Sequence, residues 1–314
     1  MDISYLLLLQ DFRNATHNMW TPLMENISFF GTTSLVLLPT FIYWCVNKRN
    51  GLFTLAAYTL SLTFMALIKL TACVYRPWIK DARIIPAGKA INTATGYSFP
   101  SGHTSGATPL YGGMAVGFWQ KPKMRWLAVL CIVMILLTGF SRNYLGVHTP
   151  QDVAVGLLVG LLGLWISWKY ISYIEIHPEK ENMLLGLGIL FAILGLLYIT
   201  YKSYPMDYVN GKLLANPQRM MNDGYKCLGC LVGFCVGRYI EKTWVRFEVL
   251  GLTLKGILLS IVGMIPAVLM FIYIKKPLVA CLGKHWGGFT MYVILITYIV
   301  ALYPMVIKLF QKKK

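Results

Sequence analysis

Charge is scarce in this 314-residue chain, and negative charge is scarcest: 13% of residues are charged, with 12 Asp or Glu against 29 Lys or Arg. So little charge beside 57% hydrophobic residues excludes an ordinary soluble domain. The shortage of carboxylates leaves no acidic cluster near the candidate site motifs that is fit to bind Mg²⁺. No basic run is interleaved with exposed aromatics, so the formal charge of +17 does not indicate nucleic acid. Lys and Arg fall in the short stretches between apolar segments, where membrane topology and anionic lipid or phosphate account for them. The start, MDISYLLLLQDFRN, lacks the basic opening and small-residue cleavage site of a removable signal peptide, and is expected to form a short interfacial helix. No internal repeat or low-complexity segment is evident. The seven cysteines lie mostly in apolar segments as small hydrophobes. Cys227 and Cys230 form a CxxC without a second ligand pair, which favours helix packing over metal or redox chemistry.

What is abundant is apolar sequence in runs of about 20 residues, each long enough to cross roughly 30 Å of hydrocarbon. The expectation is an all-α, polytopic membrane helix bundle. About nine spans are expected, near 20–46, 51–74, 103–119, 126–141, 151–171, 183–201, 225–240, 252–274 and 287–307. Three regions are expected: an interfacial helix and first span (1–50), a catalytic core (51–182) and additional helices (183–314). Lys48, Arg49, Lys121, Lys123, Arg125 and the tail Lys312–Lys314 should stay cytoplasmic, leaving the N-terminus outside. The vote is divided, because outer loops would also hold cations such as Lys80, Arg83, Lys89 and Lys202. Four-residue spacing of Gly156 and Gly160, and of Gly229, Gly233 and Gly237, allows close helix approach, within one bundle or across a homodimer seam. The connection from Tyr75 to Phe99 is too long for a simple turn, and long loops beside a bundle mouth are often functional.

Ionisable residues at membrane depth are expensive, so three clusters bordering the spans stand out. Lys69, Arg76 and Pro77 end the second expected span; read alone, Lys69 is a snorkelling lysine. Pro100-Ser101-Gly102-His103 precede the third, where free N–H groups and a positive dipole end suit an anion, or where Ser101 simply caps a turn. Ser141 and Arg142 end the fourth, and His148 with Asp152 opens the fifth behind Thr149 as N-cap and Pro150 as first helical residue. Asp152 is placed to fix the tautomer of His148, or else only to stabilise the helix dipole. Span parity puts all three clusters on one side of the membrane in either orientation. Three cations, an N–H-rich turn, two histidines and a carboxylate suit phosphoryl transfer.

The strings Lys69-x6-Arg76-Pro77, Pro100-Ser101-Gly102-His103 and Ser141-Arg142-x5-His148-x3-Asp152 resemble, without departure, the three signature motifs of the type 2 phosphatidic acid phosphatase (PAP2) and vanadium haloperoxidase superfamily. The resemblance covers about residues 69–152, or 51–171 with flanking spans. It implies that His148 attacks phosphorus and becomes phosphohistidine, Asp152 orients it, and His103 protonates the leaving oxygen. Lys69, Arg76, Ser101, Gly102 and Arg142 would hold the phosphate oxygens, with no metal and no cofactor. In span count and outward N-terminus the layout is similar to the glucose-6-phosphatase branch, and sphingosine-phosphate phosphatases are also multispan. The implied function is an integral membrane phosphatase of the plasma or inner membrane, facing the non-cytoplasmic side. Its substrate would be a lipid-linked phosphate or diphosphate such as phosphatidate, polyprenyl diphosphate, phosphatidylglycerophosphate or a sphingoid phosphate. Phosphotransfer to a lipid or sugar acceptor, a sugar-phosphate phosphatase, and a non-catalytic transporter or scaffold are the alternatives.

Overall fold

The structure is a computed structural model that describes residues 2–30, 36–94, 96–209 and 211–311. In chain order its helices are α1 (Asp2–Ala15), α2 (Thr21–Phe30), α3 (Leu37–Phe41), α4 (Lys48–Ala72), α5 (Pro77–Lys80), α6 (Ala90–Thr93), α7 (Gly102–Trp119), α8 (Arg125–Tyr144), α9 (Pro150–Ile176), α10 (Glu181–Tyr201), α11 (Pro217–Ile240), α12 (Leu254–Leu269), α13 (Lys275–Thr297) and α14 (Tyr303–Leu309). Between α10 and α11 lies one two-stranded hairpin of β1 (Tyr208–Val209) and β2 (Lys212–Leu213).

Local chemistry sets the helix starts. Asn47 accepts from Asn50 N to open α4, and Asn216 accepts from Arg219 N before Pro217 opens α11. At α9 a capping box forms between Thr149 and Asp152, with Pro150 at the first helical position as expected. α4 stops where Cys73 turns into the left-handed region at φ 48°.

Five helical stretches among the described residues are long and apolar enough to cross a membrane: 48–80, 122–144, 150–176, 178–201 and 254–309. Their exposed faces carry large apolar residues, such as Leu190, Ile193 and Leu194 on α10 and Leu258, Ile261 and Ile265 on α12. Exposed apolar belts on backbone-satisfied helices are what a bilayer requires, and the chain is an integral membrane protein. The expected count of nine spans is not confirmed by these stretches. The expected spans 103–119 and 225–240 fall on α7 and on the C-terminal part of α11, but neither helix reaches the apolarity of a span. Both are packed among other helices along much of their length, so small and polar residues serve there in place of lipid-facing side chains. The expected span 20–46 divides into α2, α3 and a short π-helical turn, with residues 31–35 outside the described residues. The expected spans 252–274 and 287–307 both lie in the continuous stretch 254–309, broken at Gly283, whose φ is 77°. At 1.5 Å per residue that stretch runs about 84 Å, nearly three times a hydrocarbon core, so it is not one straight crossing.

Helix α7 packs on α4, α8 and α9, and α11 packs on α4, α10 and α13, so α4 is shared by both groups. The glycine rows face inward. A Cβ at Gly156 would meet Ser101 O at 2.8 Å, and Cβ atoms at Gly229 and Gly233 would meet Phe289 O at 2.6 Å and Val293 O at 2.7 Å. They seat α9 on α7 and α11 on α13 within this chain.

A buried charge network ties the two groups together at the end of α4 remote from the motifs. Glu181, 4% exposed, accepts from Arg238 Nε at 2.7 Å and from the Tyr170 hydroxyl at 2.8 Å, with Lys242 Nζ 3.3 Å away. Glu241, 0% exposed, binds Arg238 and Lys48. Removing one partner of such a pair strands buried charge. Glu181→Ala should therefore lower stability by about 3–5 kcal/mol, read as the shift in the denaturation midpoint of detergent-solubilised protein. An unshifted midpoint would show that the network does not hold the bundle together.

Candidate active site

The three motif clusters converge. Lys69, Arg76, Gly102, His103, Arg142 and His148 line one cavity of about 330 Å³. Lys69 comes from the last turn of α4, Arg76 from the N-cap of α5, Gly102 and His103 from the first turn of α7, Arg142 from the last turn of α8, and His148 from the loop before α9.

His148 is 2% exposed and held on both ring edges. Nδ1 lies 3.3 Å from Asp152 Oδ2 and 3.4 Å from Ser98 Oγ, while Nε2 lies 2.9 Å from Arg76 Nη1. A guanidinium only donates, so Nε2 is the unprotonated nitrogen and Nδ1 carries the proton toward Asp152. Burial first, then the cations Arg76, Arg142 and Lys69, hold the imidazole well below its ordinary pKa. The ring is therefore neutral at physiological pH, with its Nε2 lone pair accepting from Arg76, which lines the same cavity. Asn143 Nδ2 donates to the His148 carbonyl at 2.9 Å and fixes the loop behind it.

Asp152 performs both tasks that the sequence left open. Its Oδ2 accepts from Thr149 N at 2.9 Å as the reciprocal half of the α9 cap, while facing the imidazole and accepting a short hydrogen bond from the Ser98 hydroxyl. Its own carbonyl accepts from Ser101 N at 2.8 Å, which links the second and third motifs through backbone.

The cations divide by how many donors they have left. Lys69 Nζ donates to the carbonyls of Tyr97, Ser98 and Pro100 at 3.2, 3.1 and 2.6 Å, so all three ammonium protons shape the turn ahead of α7. It does not snorkel. Arg76 clamps Gly96 O at 3.1 Å and Val147 O at 2.9 Å. Arg142 is 1% exposed and gives Nη1 to the Ser28 hydroxyl, but its Nε and Nη2 have no partner among the described residues. Buried guanidinium donors nearly always find an acceptor, and a planar fork lining a cavity suits an oxyanion. Ser101 is 0% exposed and its Oγ accepts from Thr104 N and Thr104 Oγ1 at 3.4 and 3.0 Å, so the side chain is spent as the α7 cap. Gly102, next to it, lines the cavity at a helix start whose first N–H groups have no intrahelical partner. His103 makes no hydrogen bond among the described residues and faces the same cavity.

The PAP2 superfamily profile matches residues 50–176, and the profile of the transmembrane extension of PAP2 superfamily phosphatases matches residues 225–314. The chain belongs to the PAP2 superfamily. It is similar to an undecaprenyl-diphosphatase of Sulfolobus acidocaldarius, 38% identical over 87 residues, which are 28% of this chain and 38% of that protein. It is similar to a phosphatidylglycerophosphatase B of Bacillus subtilis, 33% identical over 113 residues, 34% of this chain and 54% of that protein. It is also similar to a dihydrosphingosine 1-phosphate phosphatase of Schizosaccharomyces pombe, 24% identical over 211 residues, 62% of this chain and 48% of that protein. The chain thus spans about half or less of the length of these relatives. No solved structure matches it.

Within this PAP2 core two contributors escaped the sequence reading. Ser98 and Asn143 touch Asp152 and His148, yet a serine and an asparagine in polar turns carry no sequence signal of their own. The other omission is larger. The cavity wall facing the PAP2 motifs belongs to α11, with Asp223, Gly224, Lys226, Cys227 and Cys230, and to Tyr292 of α13. The CxxC cysteines therefore pack on α11 as expected but also border the cavity, and the segment 202–226, unassigned from sequence, sits beside the site: the Tyr75 hydroxyl donates to Asp207, and a Cβ on Gly96 would strike Met220 Sδ at 2.2 Å.

Proposed function

We propose that this chain is a membrane phosphatase that hydrolyses a lipid-linked phosphate or diphosphate ester through a phosphohistidine on His148. The observation that carries the reading is the His148 imidazole itself: neutral, its Nδ1 proton directed to Asp152, its Nε2 beside Arg76 on a cavity wall that also carries free Arg142 donors. Arg76 turns from Nε2 to the phosphoryl oxygens, and Nε2 forms a bond to phosphorus as the P–O bond breaks. His103, which burial and the neighbouring cations hold below its ordinary pKa until the phosphate's negative charge enters, takes up a proton with the substrate and gives it to the departing oxygen. Arg142, Arg76 and the first N–H groups of α7 neutralise charge on the phosphoryl oxygens. Water then attacks the phosphohistidine, His103 takes its proton, and phosphate leaves with His148 restored. Lys69 and Ser101 act through the turn they hold, by keeping Gly102 and His103 in place.

A lipid substrate is favoured over a sugar phosphate by the shape of the cavity. It follows α4 from Lys69 down to Tyr58, about 16 Å at 1.5 Å per residue, past Leu62, Met65 and Ala66. That wall suits an alkyl chain, each buried CH₂ contributing about 0.8 kcal/mol. The relatives act, by their names, on undecaprenyl diphosphate, phosphatidylglycerophosphate and dihydrosphingosine 1-phosphate. The basic connections Lys48–Arg49 and Lys121–Arg125 at the opposite helix ends support a non-cytoplasmic mouth.

The test is phosphate release by detergent-purified protein in excess EDTA, over a panel of long-chain lipid phosphates and short water-soluble ones. The expected result is EDTA-insensitive turnover with long chains preferred. Turnover abolished by EDTA, or restricted to sugar phosphates, would refute the reading.

A further inference from the structure

The PAP2 motifs occupy only part of the cavity surface; the facing wall is α11, and it carries an ion pair at the cavity. Lys226 Nζ donates to Asp223 Oδ1 at 2.6 Å, one turn apart on the same helix face. Both side chains line the cavity that holds His148 and His103. The Lys226 stem lies along α13, where a Cβ on Gly288 would meet its Cγ at 3.3 Å. Their side chains are 27% and 52% exposed, so neither is locked in place.

The charge balance of the cavity makes this pair informative. Lys69, Arg76 and Arg142 line the motif wall, and Asp152 stands behind His148. That balance suits a single phosphoryl group with two negative charges, leaving nothing on the motif wall for a second anion. Lys226, on the opposite wall, is a cation whose present partner is the more exposed of the two and is held by one contact. An ion pair this open is worth little, so a phosphate oxyanion can displace the carboxylate.

We infer that Lys226 and Asp223 of α11 form a second anion subsite: Lys226 leaves Asp223 to bind an anionic group that the substrate carries beside the scissile phosphate, such as the proximal, lipid-bearing phosphate of a diphosphate ester. Asp223 serves as the placeholder that keeps Lys226 extended along the cavity until that anion arrives, and its charge discriminates against anions that Lys226 does not neutralise. The subsite rests on the phosphatase reading and names the part of α11 that selects among its substrates.

The experiment compares kcat/KM for farnesyl diphosphate and farnesyl monophosphate in the wild type, Lys226→Gln and Asp223→Asn. Lys226→Gln is expected to lower the diphosphate-to-monophosphate ratio by about tenfold or more, the worth of one charged hydrogen bond. Asp223→Asn, which frees Lys226, is expected to lower KM for the diphosphate. An unchanged ratio in both variants, or a loss in Asp223→Asn equal to that in Lys226→Gln, overturns the subsite while wild-type phosphate release leaves the phosphatase reading standing. No release from either substrate by the wild type would instead count against the phosphatase reading.

Discussion

His148→Ala is expected to reduce kcat for phosphate release by at least about four orders of magnitude, because in the proposed mechanism the covalent intermediate forms on its Nε2. The cavity would still bind substrate: Arg142 keeps its unpartnered Nε and Nη2, and Arg76 keeps its carbonyl contacts at Gly96 and Val147. Substrate affinity should therefore fall far less than kcat. His103→Ala differs in kind. In the proposed mechanism its ring serves the leaving oxygen, so the loss should shrink as the leaving group becomes more acidic, and a nitrophenyl ester should lose less than an alkyl one. Equal losses for both esters would remove His103 from that role. Substantial turnover by His148→Ala would remove His148 from its own.

Asp152→Asn is expected to lower kcat by about 10³–10⁴-fold with a small change in KM. A single carboxylate oxygen, Oδ2, faces the His148 Nδ1, the Ser98 hydroxyl and the Thr149 N–H together. An amide of the same shape has one oxygen and one donating nitrogen. If the nitrogen turns inward it opposes the Nδ1 proton, inverts the tautomer and takes the lone pair from Nε2. Because Asp152 also caps α9, the variant should lose some stability, about 1 kcal/mol. The two effects separate by measurement: thermal unfolding reports the cap, whereas kcat at saturating substrate reports the tautomer. Near-normal kcat in a folded Asp152→Asn protein would show that the carboxylate only caps the helix.

The PAP2 core was legible because its chemistry is written in residues that are costly anywhere else in a membrane. Lys69, Arg76, Arg142, His148 and Asp152 sit where apolar residues would be cheaper, and span parity alone placed them at one rim. Distinctions within that set needed coordinates. Nothing in the sequence separates Lys69, whose three donors are consumed by the carbonyls of Tyr97, Ser98 and Pro100, from Arg142, which has donors to spare. Ser101 reads equally as anion ligand or cap, and only its contact with Thr104 decides.

The expected span count is not confirmed, for a physical reason. Hydropathy registers what a helix shows to lipid, and α7 and α11 show little, so small and polar residues replaced the apolar signal. Residues 202–226 and α11 were opaque in the same way. Asp223 and Lys226 look like an ordinary helix pair until α11 is laid against α4, a contact between residues far apart in the chain. The buried group Glu181, Arg238 and Glu241 was invisible for the same reason.

A covalent bond between phosphorus and the Nε2 of residue 148 is detected by quenching turnover of a phosphate-labelled substrate and mapping the label. An acid-labile, alkali-stable phosphoryl group is expected on the peptide containing His148, formed in EDTA and absent from His148→Ala. Turnover without any such adduct, or an adduct on another residue, would contradict it.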